Sequence, residues 1–177
     1  ARRFIEGTTP IHLVEAPAAG TGKGLLVSAL FVLATGRSAE AGTLPREEDE
    51  VRKKITSELL AGRPILALDN ADPKSRIDSA ALAAATTTEF WVDRLLGHTR
   101  SMTLANRAVW MLTGNNVRLS TELARRCVRI RIDAGTDRPW RRSVFKHPDL
   151  LRWLRKERGA VIHAALTLIQ NWQEKGR

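Results

Sequence analysis

Three short strand-like runs limit what this chain can fold into. They are "IHLVEA" (11–16), "ILALDN" (65–70) and "VWMLTGNN" (109–116). Each is a mostly continuous apolar stretch, without the strict polar alternation of a strand that keeps one face in water. Strands of this kind are buried on both faces, and helical patterns lie between them. That combination implies an α/β fold with a parallel sheet covered by helices on both faces. Ligands of such sheets sit beyond the carboxyl ends of the strands. Polar motifs stand at three of those ends: Gly20–Gly24, Asp69–Asn70 and Asn115–Asn116.

The intervening patterns supply the helices. "GKGLLVSALFVLAT" (22–35) reads as a largely buried helix stopped by Gly36. Residues 36–49 read as a loop. Val51, Ile55 and Leu59 recur at four-residue steps in an amphipathic helix over 47–62 that Gly62 ends. Ile77 to Ala85 is Ala-rich and helical. Further strands are expected within 89–97 and 101–116, then a short helix over 119–126 capped by Ser120 or Thr121. "CVRIRID" (127–133) alternates apolar residues with Arg129 and Arg131, a strand with one basic face. Two C-terminal helices are expected, over 148–156 and 159–173. The domain reading is a core over 1–135, followed by a linker and lid-like helices over 136–177. The sequence begins without Met, which suggests a piece of a longer protein.

The chain has 177 residues, 43% of them hydrophobic, so it can bury a core. Its 29 basic and 19 acidic residues leave a net charge of +10, which favours an anionic partner. The lone cysteine, Cys127, excludes an internal disulfide and suits a reducing, cytoplasmic setting. The apolar run Leu25–Ala34 is too short to span a bilayer. Cys127, His147 and His163 lack metal-ligand spacing.

The three strand-end motifs carry the chemistry. In "APAAGTGKG" (16–24), glycines at 20 and 22 allow backbone N–H groups to turn inward onto phosphates. Lys23 would pair with the outer phosphates. Gly20, Thr21, Gly22, Lys23, Gly24 and Leu25 are the candidate nucleotide-binding residues. Asp69 ends an apolar strand where a carboxylate can serve Mg²⁺, and Asn70 follows it where a second acid often stands. Asn115 and Asn116 place amides that can bond both a phosphate oxygen and a water. Arg125 and Arg126 open the last strand, and either could fork onto phosphate from a neighbouring subunit, with Arg126 slightly favoured.

The order of these motifs resembles the AAA+ ATPases. "PAAGTGKG" is similar to their phosphate loop, Asp69–Asn70 to their acidic motif, "TGNN" to sensor 1 and "ARR" to the arginine-finger region. The stretch 93–133 resembles the ATPase domains of phage and mobile-element primase–helicase proteins, near the superfamily-three helicases. The likeness covers about residues 11–173 and implies a three-layer P-loop NTPase with C-terminal helices. It implies ATP and Mg²⁺ as cofactors, a homo-oligomeric ring, possibly a hexamer, and movement along single-stranded DNA. It further implies that Lys23 grips phosphate, Asp69 serves the metal, Asn115 or Asn116 senses the γ-phosphate, and Arg125 or Arg126 acts in trans. Two departures stand out. Gly24 replaces a metal-ligating hydroxyl, and Asn70 replaces the usual second acid.

Arg94, His98, Arg100 and Arg107 are the candidate DNA contacts, through backbone phosphates rather than base edges. Trp91 and Trp110 are expected in the core. Arg138, Arg141 and Arg142 form a second basic cluster around Trp140, open between a DNA path, a subunit interface and a solvated loop. Three alternatives stand beside an ATP-driven helicase or translocase. One is a non-hydrolysing ATP-binding or assembly subunit, another a small-molecule phosphotransferase, and the last a DNA-binding module that needs no nucleotide.

Overall fold

The apolar runs do form a parallel sheet. In the computed structural model of the chain, which describes residues 5–71, 76–94 and 100–176, five strands lie in one layer. They are β1 (Ile11–Ala16), β2 (Ala41–Thr43), β3 (Ile65–Ala71), β7 (Val109–Asn115) and β9 (Cys127–Arg131). Their order is β2-β3-β7-β1-β9, with each neighbouring pair parallel. The chain steps from β1 to β2, β3 and β7 on one side, then to β9 on the other. The order therefore reverses at β1, and a ligand crevice is expected at its carboxyl end.

The chain forms two compact units. One takes in residues up to Lys23 together with Ala41–Trp140; the other takes in Gly24–Glu40 and the chain from Arg141 onward. In the first, α2 (Glu48–Leu60) presents Val51, Ile55 and Leu59, and α3 (Ala80–Ala85) presents Ala81 and Leu82. These join Leu13, Leu66, Leu68, Leu112, Trp91 and Trp110 in one hydrophobic core. Both tryptophans are buried, as expected. Ser79 caps α3, and Ser120 caps α4 (Thr121–Ala124), each accepting a backbone N–H three residues on.

Smaller pairings complete this unit. β4 (Arg76–Ile77) pairs with β8 (Arg118–Leu119). β5 (Phe90–Arg94) and β6 (Ser101–Ala105) form an antiparallel hairpin. Trp91 and Asp93 fix the hairpin to α2. The Trp91 indole N–H donates to Thr56 Oγ1 at 2.9 Å, and Thr56 donates onward to Asp93 at 2.6 Å. Arg52 adds a bond and ion pair to Asp93 at 3.0 Å.

In the second unit, α1 (Lys23–Thr35) contributes Ala29 and Val32 to a cluster with Leu154 of α5 (Leu150–Lys175). The Arg158 guanidinium donates to the carbonyls of Val32 and Leu33 at 3.0 and 3.1 Å, tying α5 to the last turns of α1, where Val32 also accepts the Gly36 N–H at 2.8 Å. His147 stacks on Trp153 with ring centres 4.1 Å apart, a packing role.

Two expectations change. The two C-terminal helices are one continuous helix, because nothing terminates it at Gly159 and the Arg158 bonds hold that turn to α1. Residues 36–49 are not all loop: β2 forms there by pairing Ala41, Gly42 and Thr43 with Ala67, Leu68 and Asp69. In β9 the register sets Arg129 and Arg131 on one face, the basic face expected, where they turn onto a buried acid described below. Among the described residues, no helix is long and apolar enough to cross a membrane.

Gly114 sits where β7 passes closest to its neighbours. A Cβ there would overlap the Val117 side chain and lie 3.0 Å from Ala71 Cβ. Gly114→Ala is expected to cost roughly 1–3 kcal/mol in urea unfolding, as overpacking of a tight site does.

Asp93 generates a pH-dependent prediction. Burial acts to raise its pKa, but bonds from Thr56, Arg52 and the Arg94 amide outweigh it and hold the carboxyl below its usual value. A depressed folded-state pKa contributes stability above the unfolded value, about 4, which is lost as pH falls through the folded value. Asp93→Asn should therefore lose roughly 1 kcal/mol at neutral pH, with solvent screening allowed for. The difference from the parent should close below about pH 4, read by thermal melting across the pH series.

Candidate functional site

The register of β1 against β7 builds the site. Ala16 lies opposite Asn115, so the loop that leaves β1 runs past the end of β7. That loop, 17–22, contains two glycines with left-handed backbone, Gly20 at φ 74° and Gly22 at φ 97°. Side-chain residues disfavour this region, and it lets successive amides face one way. Gly20 is also confined: a Cβ on it would lie 3.1 Å from Trp140 Cβ. Thr21 Oγ1 donates to the Ala18 carbonyl at 3.4 Å, closing the loop on itself.

Lys23 follows, at the first position of α1. Its Nζ donates to Asn115 Oδ1 at 2.6 Å and to the Ala18 carbonyl at 3.3 Å. Burial pulls its pKa down, and the charge of Asp69 opposes that. Asp69 ends the apolar part of β3, where its carboxylate accepts a hydrogen bond from the hydroxyl of Thr113, a buried residue of β7. Lys23, Asp69 and Asn115 thus meet at the carboxyl ends of three adjacent strands, although they are distant in sequence.

Asn116 takes a different direction from Asn115. It adopts φ 45°, in the left-handed region that asparagine tolerates better than most residues. Its Nδ2 donates to the Pro17 carbonyl at 3.2 Å, and its Oδ1 accepts from Arg131 at 3.4 Å. Of the two asparagines, only Asn115 bonds the lysine.

The remaining candidates fall elsewhere. Gly24 and Leu25 lie in the first turn of α1. A Cβ on Gly24 meets no described atom within 4 Å, so a larger residue fits there. Asn70 lies in β3, and its side chain is outside the described residues. Arg126, just past α4, folds back on it, donating to the Glu122 carbonyl at 2.9 Å and pairing with the Glu122 carboxylate at 3.3 Å. Arg125, which caps the carboxyl end of α4, is exposed. His98 lies outside the described residues. Arg94 pairs with Ser101 across the hairpin, next to Arg100, so these two arginines flank one end. Arg107 lies beyond Ala105 at the other end, roughly 15 Å along the strand by the usual rise per residue. Arg94, Arg100 and Arg107, the three described basic candidates, do not form one cluster.

Sequence reasoning did not pick out Glu15 or Thr113 as site residues. Glu15 is 1% exposed, and its carboxylate accepts from the Val117 amide at 3.2 Å and from Arg131 at 3.1 Å. Its one visible signal was a lone acid inside an apolar run. Trp140 was seen only as the centre of a basic cluster; the fold sets its backbone against the glycine loop.

Among the described residues, no group of three or more His, Cys, Asp and Glu could enclose a metal ion. Asp69 alone still suits Mg²⁺, which commonly takes one or two carboxylates and fills its remaining positions with water and substrate phosphates. The chain matches no protein-family model and no curated protein sequence.

Replacing Lys23 should free Asn115. In Lys23→Met, the Asn115 side-chain amide signals are expected to shift and broaden in ¹⁵N spectra of the nucleotide-free protein, while the Asn116 signals hold their positions.

Proposed function

We propose that the chain is an ATP-binding motor module of the AAA+ type. In this reading it is a three-layer P-loop NTPase that couples ATP hydrolysis to translocation on, or unwinding of, DNA during replication of a phage or mobile element. The observation that carries it is the 2.6 Å bond from Lys23 Nζ to Asn115 Oδ1, beside Asp69 and a loop with two left-handed glycines. A flexible ammonium and inward-turned amides suit a polyphosphate. A neutral acceptor amide keeps the lysine in place without cancelling its charge.

Each residue has a role in this proposal. The loop amides and Lys23 hold the β- and γ-phosphates. Asp69, oriented by Thr113, serves Mg²⁺, which when bound neutralises charge on the phosphates. Asn115 bonds the γ-phosphate or orients the attacking water; a neutral amide suffices for that task in other NTPases. Asn116 is a structural partner of the loop. Arg125, exposed and without a described partner, is better placed than Arg126 to act on a neighbouring subunit's nucleotide in a ring. Arg94 and Arg100 contact the DNA backbone.

An ATPase assay at several protein concentrations, with and without single-stranded DNA, tests this. Turnover per subunit should rise with concentration and with DNA, and Lys23→Ala should lower it at least a hundredfold. Full activity in Lys23→Ala ends the proposal. Gly24 and Asn70 favour a second reading, a subunit that binds ATP without turning it over. Steady hydrolysis by the parent protein excludes it. If it holds, Gly24→Thr, for which there is room, is the variant expected to raise turnover.

A further inference from the structure

A buried carboxylate, Glu15, and two half-exposed arginines that pair with it lie next to the asparagine turn. Glu15 stands on β1 opposite Arg131 on β9, and Leu13 stands opposite Arg129. Both arginines therefore lie on the face of the sheet that carries Glu15. The Glu15 carboxylate takes the Val117 N–H at 3.2 Å, Arg131 Nη1 at 3.1 Å and Arg129 Nη1 at 3.5 Å. Arg129 Nη2 donates to the Val117 carbonyl at 3.4 Å. The backbone of Val117 is thus held at both its donor and its acceptor. Arg131 uses its second nitrogen on Asn116 Oδ1 at 3.4 Å, which leaves the Asn116 amide nitrogen facing the Pro17 carbonyl.

A carboxylate this deeply buried is costly unless it is paired and hydrogen-bonded. Packing alone would be served by an apolar residue at position 15. What the ions add is direction. The guanidinium fork spans two acceptors in one plane, Glu15 on the sheet and Asn116 on the turn. Asn115 precedes Asn116 in that same turn.

We propose that Glu15 and Arg131 are positioning residues that fix the Asn115–Asn116 turn against the phosphate loop and so set where the Asn115 amide stands relative to Lys23. Neither touches the nucleotide in this scheme; they act through Asn116. Because β9 begins just after Arg125 and Arg126, the pair also ties the turn to the strand that follows those arginines. The effect on turnover rests on the nucleotide reading above; the effect on the turn does not.

The test compares Arg131→Lys and Arg131→Gln with the parent protein. Lysine keeps a charge for Glu15 but has no planar fork to reach Asn116 as well. Arg131→Lys is expected to melt within about 3 °C of the parent, since the buried charge stays paired. Its Asn115 and Asn116 side-chain amide signals should nevertheless shift in ¹⁵N spectra recorded without nucleotide. Turnover should fall about tenfold or more with the Kd for a fluorescent ATP analogue within threefold, the pattern of a misplaced catalytic group. Asparagine signals that coincide with those of the parent in both variants overturn the proposal. So does a parallel loss of binding and turnover. The amide signals need no ligand. A parent that binds no ATP therefore defeats the nucleotide reading and leaves those signals to decide the positioning.

Discussion

The parallel register between β1 and β7 is the constraint on which the rest of the site depends. It puts Ala16 beside Asn115, and with that pairing the glycine loop and the asparagine turn occupy one corner of the sheet. A slip of one residue would turn each side chain of β7 to the opposite face. Thr113 would then leave Asp69, and Asn115 would leave Lys23. Close packing guards the register. Gly114 fits between Val117 and Ala71 only because it lacks a Cβ, and the register of β3 against β7 shifts between Leu68 and Ala71. Tight contact and site geometry are set by the same few residues.

The electrostatics of this corner follow from uneven burial. Lys23 is partly desolvated, which disfavours its charge, while the facing carboxylate of Asp69 restores some of what burial removes. Glu15 and its two arginines lie on the adjacent strand pair and carry one more positive than negative charge. The corner is therefore cationic close to the loop. That agrees with an anionic ligand without identifying one.

The parallel strands were legible in the sequence where both faces of a strand are apolar: β1, β3 and β7 announce themselves by composition. β2 does not, because Ala, Gly and Thr carry no hydrophobic signal. It is a strand only because β3 offers it a register. The sequence reading divided 148–173 into two helices, yet the helix runs through Gly159, where tertiary bonds from Arg158 outweigh one unfavourable residue. At the site, the glycine loop, Lys23, Asp69 and the asparagines were visible because their chemistry is local to strand ends. Glu15 was not, since Val117 and Arg131 lie 102 and 116 residues further on. Nor could spacing alone separate Asn115 from Asn116, because only the left-handed turn sends their amides in different directions.

The length of α5 has its own consequence. Its first half packs on α1 through Leu154 and Arg158, but the later part carries Leu168 and Trp172 at 70% and 56% exposure. A lone helical stretch of a few turns is marginal in water. Protection against amide hydrogen exchange should thus fade along the helix, strongest near Leu154 and weakest in the final turns. One unbroken rod of backbone would then contain a firmly held segment and a fraying one.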